Sequence, residues 1–202
     1  MTEEASDTQK QSTPAFDSST PESLVTFLDG EPRLLDFEAL VARLGVSKEQ
    51  RKSLEETLGL LVEAGSLVET RDGRYGVPAK MNLIVGRLTC HEKGFGFVVP
   101  RDPSQADLYI PRRKLGNALH GDLVVARREA MQRGKTEGRI IRLLRRARTQ
   151  VVGKFERGPR FGYVVPLDAR IGYEVFISEA ESNGAKPGQV VCAEIISYPE
   201  GN

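Results

Sequence analysis

The feature that most constrains this chain is a repeat. Val85-Gly86-Arg87 returns as Val152-Gly153-Lys154, and Gly94-Phe95-Gly96-Phe97-Val98-Val99-Pro100 returns as Arg160-Phe161-Gly162-Tyr163-Val164-Val165-Pro166. Asp107-Leu108-Tyr109-Ile110 is matched by Glu174-Val175-Phe176-Ile177, and Gly121-Asp122-Leu123-Val124-Val125-Ala126 by Gly188-Gln189-Val190-Val191-Cys192-Ala193. The offset stays at 66 or 67 residues through all four blocks. Four blocks at one offset mark two copies of one small unit.

In each copy apolar residues alternate with other types, and Gly and Pro punctuate the runs, so the copies are read as sets of short strands. At that size, five strands point to an OB-type barrel. The first copy finishes with the strand-like stretch Gly138-Arg139-Ile140-Ile141-Arg142-Leu143-Leu144, whose counterpart would fall beyond Asn202. The second barrel is therefore expected to lack its last strand and to show an open sheet edge. On this reading the chain is expected to be a piece of a longer protein or a truncated gene product.

Upstream the periodicity is helical. Pro21 opens a short helix carrying Leu24, Val25, Phe27 and Leu28, which Asp29-Gly30 ends. Asp36 is an N-cap for a second helix with Phe37, Leu40, Val41 and Leu44, closed by Gly45. Ser47 and Gln50 form a capping-box pattern ahead of a third helix, in which Leu54, Leu58, Leu61 and Val62 share a face and which Gly65 closes. Leu67 to Thr70 and Arg74 to Val77, joined by Arg71-Asp72-Gly73, read as a hairpin. Three helices and a hairpin outline a winged helix. Residues 1–20, rich in Ser, Thr, Gln and Glu, cannot bury enough apolar surface to order and are read as a disordered tail. The expected fold is thus α+β and multidomain: tail 1–20, winged helix-turn-helix 21–79, a first all-β OB barrel 80–149, and an incomplete second one 150–202.

The net charge of +1 hides an asymmetry. Residues 1–70 carry 6 basic and 14 acidic side chains, whereas residues 111–150 carry 12 basic and 3 acidic. Segregation of this kind suggests a local anion-attracting surface. No apolar run approaches the roughly 20 residues that span a bilayer, and the acidic N-terminus lacks the layout of a secretory signal. Cys90 and Cys192 have neither metal-ligand nor disulfide-framework spacing and are read as small buried hydrophobes. A cytoplasmic location fits.

Alternation along a strand puts Phe95 and Phe97 on one face and Val98 on the other; likewise Tyr109 points away from Leu108 and Ile110. Three rings on an outward face suit the stacking of unpaired bases, worth roughly 1–3 kcal/mol per base. Arg87, Lys93 and the cluster Arg112-Arg113-Lys114 lie near enough to meet phosphates. The second copy keeps Phe161, Tyr163 and Phe176 in the equivalent places. His91 and His120, the only histidines, have no nucleophile or ligand set near them in sequence. No catalytic and no metal-binding residue is assigned.

Lys93-Gly94-Phe95-Gly96-Phe97-Val98-Val99 resembles the first nucleic-acid-binding motif of cold-shock domains, and Leu108-Tyr109-Ile110 resembles the second. The chain departs from the pattern at Pro111 and Ser178, where a histidine is usual, and near Cys90, where a tryptophan is usual. The order of parts, together with Tyr75-Gly76-Val77-Pro78, His120-Gly121-Asp122 and Gly138-Arg139-Ile140, is similar to the ribonuclease R family from about Glu22 to Pro199. That resemblance implies the RNA-holding N-terminal part of a 3′-to-5′ exoribonuclease acting on single-stranded or 3′-tailed structured RNA. Its Mg²⁺-binding aspartates would lie in a catalytic domain downstream. A stand-alone cold-shock-like RNA-binding protein or chaperone is the alternative. A duplex-DNA regulator is disfavoured, because Glu49, Glu55, Glu56 and Glu63 crowd the third helix. The winged helix is read as a module that docks a protein partner or gates the substrate, with Arg71 and Arg74 of its hairpin as candidate RNA contacts.

Overall fold

A computed structural model describes residues 20–132 and 135–198; all of the expected tail except Thr20 lies outside them. Helix α1 (Pro21–Gly30), α2 (Phe37–Leu44) and α3 (Arg51–Ala64) enclose one core of Leu24, Leu28, Leu40, Leu44, Leu54, Leu58, Leu61 and Leu67. Asp36 caps α2 by accepting the Ala39 N–H at 2.8 Å, and Gly45 and Gly65 end α2 and α3 in left-handed conformations. The capping box is only half formed. Gln50 Oε1 accepts the Ser47 N–H at 3.0 Å, but the Ser47 hydroxyl turns to Glu49, so α3 starts at Arg51 instead of next to Ser47.

Strands β2 (Val68–Glu69) and β3 (Arg74–Gly76) form the expected hairpin, and β1 (Leu35–Asp36) adds a third strand, giving the order β1-β3-β2. This unit leans on the strands C-terminal to it. Val68 joins Leu83, Val85 and Val125 in a buried cluster, and Arg101 donates a hydrogen bond to the Ala64 carbonyl.

The first copy of the repeat closes into a five-stranded barrel in the order β4-β5-β6-β8-β7. Its strands are β4 (Leu83–Cys90), β5 (Gly96–Pro100), β6 (Leu108–Ile110), β7 (Leu123–Gln132) and β8 (Lys135–Arg145). The β6–β8 pairing is parallel, with Tyr109 opposite Glu137. Ile84, Leu88, Val98, Leu108, Ile110, Val124 and Ala126 fill the interior.

The second copy forms an open four-stranded sheet, β11-β10-β9-β12, from β9 (Gln150–Arg157), β10 (Gly162–Pro166), β11 (Val175–Ile177) and β12 (Val190–Glu194). The repeat carries its detail with it. A Cβ on Gly86 would collide with the Val99 carbonyl, and one on Gly153 with the Val165 carbonyl. Leu88 and Phe155 exchange paired backbone bonds with Asp122/Gly121 and Gln189/Gly188 respectively. The concave side of the open sheet holds a cavity of about 810 Å³ lined by Phe155, Val164, Tyr173 and Val191 among others.

The two cysteines part company. Cys90 is half-buried against the barrel core, where burial first and then the Asp122 charge push its thiol up to about 11. Cys192 is exposed, because in β12 the neighbouring Ala193 takes the inward position. The expectation of a buried Cys192 is corrected accordingly.

Candidate nucleic-acid interface

Strand β4 turns into β5 through residues 91–95. The His91 N–H donates to the Phe95 carbonyl at 2.7 Å and the Gly94 N–H to the His91 carbonyl at 2.8 Å. Gly94 sits at φ +85°, which a side chain would strain. The turn delivers Phe95 to the mouth of the sheet, and pairing does the rest: Phe97 is opposite Tyr109 across β5 and β6. The three rings meet with centroids 5.6–5.8 Å apart. Phe97 is 37% exposed, while its neighbour Val98 and the flanking Leu108 and Ile110 are buried. The alternation expected from the sequence thus places these three side chains together on the outer face.

A fourth ring joins them. His91 lies flat on Phe95, 4.6 Å between centroids and 10° between planes, and its Nδ1 accepts the Lys93 N–H at 3.1 Å. One face of Phe95 is therefore already covered. Sequence reading missed this because the two residues are four apart; only a tight hairpin closed by Gly94 makes them face one another.

The basic residues divide. Lys93, Arg112 and Arg113 are exposed and enter no ion pair among the described residues. The Arg112 side chain runs along Gly94, so it borders the turn that carries Phe95. Arg87 is exposed and donates to the Gly121 carbonyl at 3.1 Å. Lys114 differs: its ammonium sits 2.8 Å from Glu129 and 3.0 Å from Glu137, with a side chain only 12% exposed. Hydrogen bonds to Glu129 and then Glu137 raise its pKa, so its charge is already engaged where β6, β7 and β8 meet.

In the second copy Phe161 and Phe176 are 45% and 63% exposed, with rings 4.9 Å apart. Tyr163 is half-buried and pairs with Phe176 in register. Gly158 stands where His91 would repeat, so this copy has no counterpart of the fourth ring. Lys154 and Arg157 are paired with Glu156 and Glu179, leaving Arg160 as the exposed cation beside the rings.

His120 lies elsewhere, at the seam between the two copies. Its Nδ1 accepts the Cys90 N–H at 3.1 Å, and burial, followed by Arg170 and Arg148, lowers its pKa. Among the described residues no group of three or more His, Cys, Asp or Glu is placed to hold a metal ion, and no helix is long and apolar enough to cross a membrane.

Known proteins share these parts. The ribonuclease B OB domain family matches residues 86–143, and the cold shock domain family matches residues 163–202. The chain is 36% identical over 183 residues to ribonuclease R of Acidithiobacillus ferrooxidans, covering 89% of this chain and 42% of that protein. It is 32% identical over 153 residues to ribonuclease R of Escherichia coli (strain K12), covering 75% of this chain and 19% of that protein. A looser likeness is to the solved Mycoplasma genitalium RNase R in complex with ribose methylated single-stranded RNA: TM-score 0.37 and 29% identity, over 41% of this chain and 14% of that one. The chain spans less than half the length of the two ribonuclease R relatives from Acidithiobacillus ferrooxidans and Escherichia coli.

Proposed function

We propose that this chain, whose architecture is that of a ribonuclease R N-terminal region with cold-shock-like domains, grips single-stranded RNA for a 3′-to-5′ exoribonuclease. The observation that carries the reading is the ring cluster on the closed barrel. Phe97 and Tyr109 stand side by side on an outer face whose inner side is fully packed, so the core has no use for them. Outward-facing rings bordered by unpaired cations, with Phe97 exposed and Phe95 and Tyr109 half-buried, are a platform for bases and phosphates, and they tolerate any sequence because every base offers a π-face.

On this reading Phe95, Phe97 and Tyr109 stack bases, while Lys93, Arg112 and Arg113 meet phosphates; Phe161, Tyr163 and Phe176 continue the path. Arg87 flanks the platform. Lys114 shapes the strand junction more than it offers charge. The substrate is a single strand or the 3′ tail of a structured RNA. Mg²⁺-dependent hydrolysis would be carried out by a catalytic domain outside this chain, in the cytoplasm. The N-terminal unit, three helices with the sheet β1-β3-β2, is read as a winged helix over residues 21–79, followed by a barrel at 80–149 and an incomplete one at 150–202. Any protein partner would dock on that first unit.

The test is a binding titration. Replacing Phe95, Phe97 and Tyr109 together by Ala should weaken binding of a 12-mer oligoribonucleotide at least about 150-fold, three bases at the low end of about 1–3 kcal/mol per stacked base. The variant should keep its far-ultraviolet spectrum. Unchanged affinity in a folded variant sinks the platform assignment.

A further inference from the structure

The basic stretch between residues 111 and 150 is only partly used by the platform; half of its 12 basic residues lie on β7 and β8. Those strands pair irregularly beside the arginines. Leu123 is opposite Arg145, but Val124 is opposite Leu143; Val125 is opposite Arg142, but Ala126 is opposite Ile140. Each of these shifts inserts one extra residue into β8, as a β-bulge does. Strict alternation would send Arg139, Arg142 and Arg145 to alternating faces. The bulges cancel that.

Leu143 and Ile140 pack against the barrel interior. Leu144 joins the cluster on the outside of the barrel, and Ile141 is 41% exposed. Arg139, Arg142 and Arg145 therefore all emerge on the outer face, over roughly 20 Å of strand at about 3.3 Å per residue. Arg127, opposite Arg139, faces the same way. Arg139 is paired with Glu129 at 2.8 Å; Arg127, Arg142 and Arg145 are exposed and have no ion-pair partner within 4.0 Å among the described residues.

The row is connected to the rings. Arg87 pairs with Val99, diagonal to Phe97, on one side and with Leu123 on the other, and Leu123 is opposite Arg145. Exposed arginines thus stand on either side of the half-buried Leu123, Arg87 at the edge of the platform and Arg145 on β8. The residues of this row are arginines and aliphatics, so it offers charge and hydrogen bonds without stacking.

We propose that the bulged outer face of β8, through Arg142 and Arg145 with Arg87 as the link, is a second RNA contact that binds the phosphodiester backbone of the stretch adjoining the bases on the platform. This rests on the proposed RNA binding by the rings and extends it from one cluster to a track. Its ligand is recognised by phosphate spacing and not by base, and a short oligomer seated on the rings does not reach it.

The experiment compares oligoribonucleotides of two lengths on the full chain. One has about 5 nucleotides, near the lower end of the ~4–16 nucleotides one OB fold covers; the other has about 20. The variant is Arg142→Gln with Arg145→Gln. Two lost phosphate contacts at about 0.7 each make the slope of log K against log salt shallower by about 1.4 for the long oligomer, roughly 25-fold weaker binding at 0.1 M salt relative to a 1 M reference. The short oligomer should bind the variant and the unaltered chain alike, and Arg142→Lys with Arg145→Lys should restore most of the slope. If the long oligomer binds the folded Gln variant with unchanged slope while the short one still binds, the track is refuted and the platform stands. If neither oligomer binds the unaltered chain, the platform reading itself has failed. Loss of both lengths in the Gln variant with native thermal melting would also overturn the track, since the row would then not be separate from the rings.

Discussion

Replacing Asp122 by Ala tests whether the barrel's turn and the start of the connection to the second copy hang on one buried carboxylate. Asp122 is 1% exposed. It accepts the Leu119 N–H and the Ala147 N–H, each at 2.9 Å, and pairs with Arg146 at 2.7 Å. Alanine leaves two backbone donors without a partner at about 1–3 kcal/mol each, and a mostly buried guanidinium without its counterion, a loss of about 3–5 kcal/mol for a fully buried pair. Arg146 keeps its bond to the Asn117 carbonyl and its stacking over Tyr198 at 4.1 Å, and the freed N–H groups can reach water, so the contributions overlap. The expected loss is about 4 kcal/mol, well inside the range for a broken buried network. Because a chain of several units need not unfold in one step, the assay is hydrogen exchange of β4 and β7 amides in rising urea. Asp122→Ala with Arg146→Met should lose less than the sum of the single changes, a coupling of about 1 kcal/mol or more. A loss below about 1 kcal/mol for Asp122→Ala alone would refute the reasoning, since the carboxylate would then be dispensable to the turn.

Gly86→Ala and Gly153→Ala should each loosen only their own copy, because each Cβ would strike a carbonyl of the neighbouring strand; matching exchange losses in both copies from one substitution would contradict this. Arg112→Gln with Arg113→Gln should reduce the salt slope of RNA binding by about 1.4, whereas Lys114→Gln should leave the slope nearly unchanged and lower the melting temperature, as Glu129 and Glu137 lose their shared cation. At pH 8 a thiol reagent should label Cys192 quickly and Cys90 slowly, since burial keeps Cys90 protonated and the thiolate is the reactive form. His120 has a lowered pKa in the fold, so the stability it contributes is present above the unfolded value and is lost as pH falls through the folded one. The melting temperature should therefore drop more steeply from pH 7 to 5 in the unaltered chain than in His120→Gln; parallel curves would deny His120 that role.

Much of this fold was written in patterns that survive without tertiary information. Paired alternation at a fixed offset located the strands of both copies, and Asp36, Gly45 and Gly65 marked helix ends by their own chemistry. What escaped reading depended on pairing across distance. Strand β1 is two residues long and exists only because Tyr75 and Arg74 lie opposite it. The arginines of β8 share a face only because of bulges whose register is set by β7. His91 meets Phe95 through a turn, and Lys114 looked like a free cation because Glu129 and Glu137 are distant in sequence. Phe97 and Tyr109 were legible because alternation alone puts them on the outer face, whereas Phe95 is brought beside them by the turn ahead of β5.

The most direct measurement is an NMR titration following ring protons of Phe95, Phe97, Tyr109 and His91 as an oligoribonucleotide is added at low ionic strength. Bases sliding onto these side chains should move the Phe97 and Tyr109 signals upfield first and strongest, with Val98 and Leu88 methyls nearly still. Ring signals that stay put while the RNA binds elsewhere, or does not bind, would contradict the claim that this face exists to hold RNA.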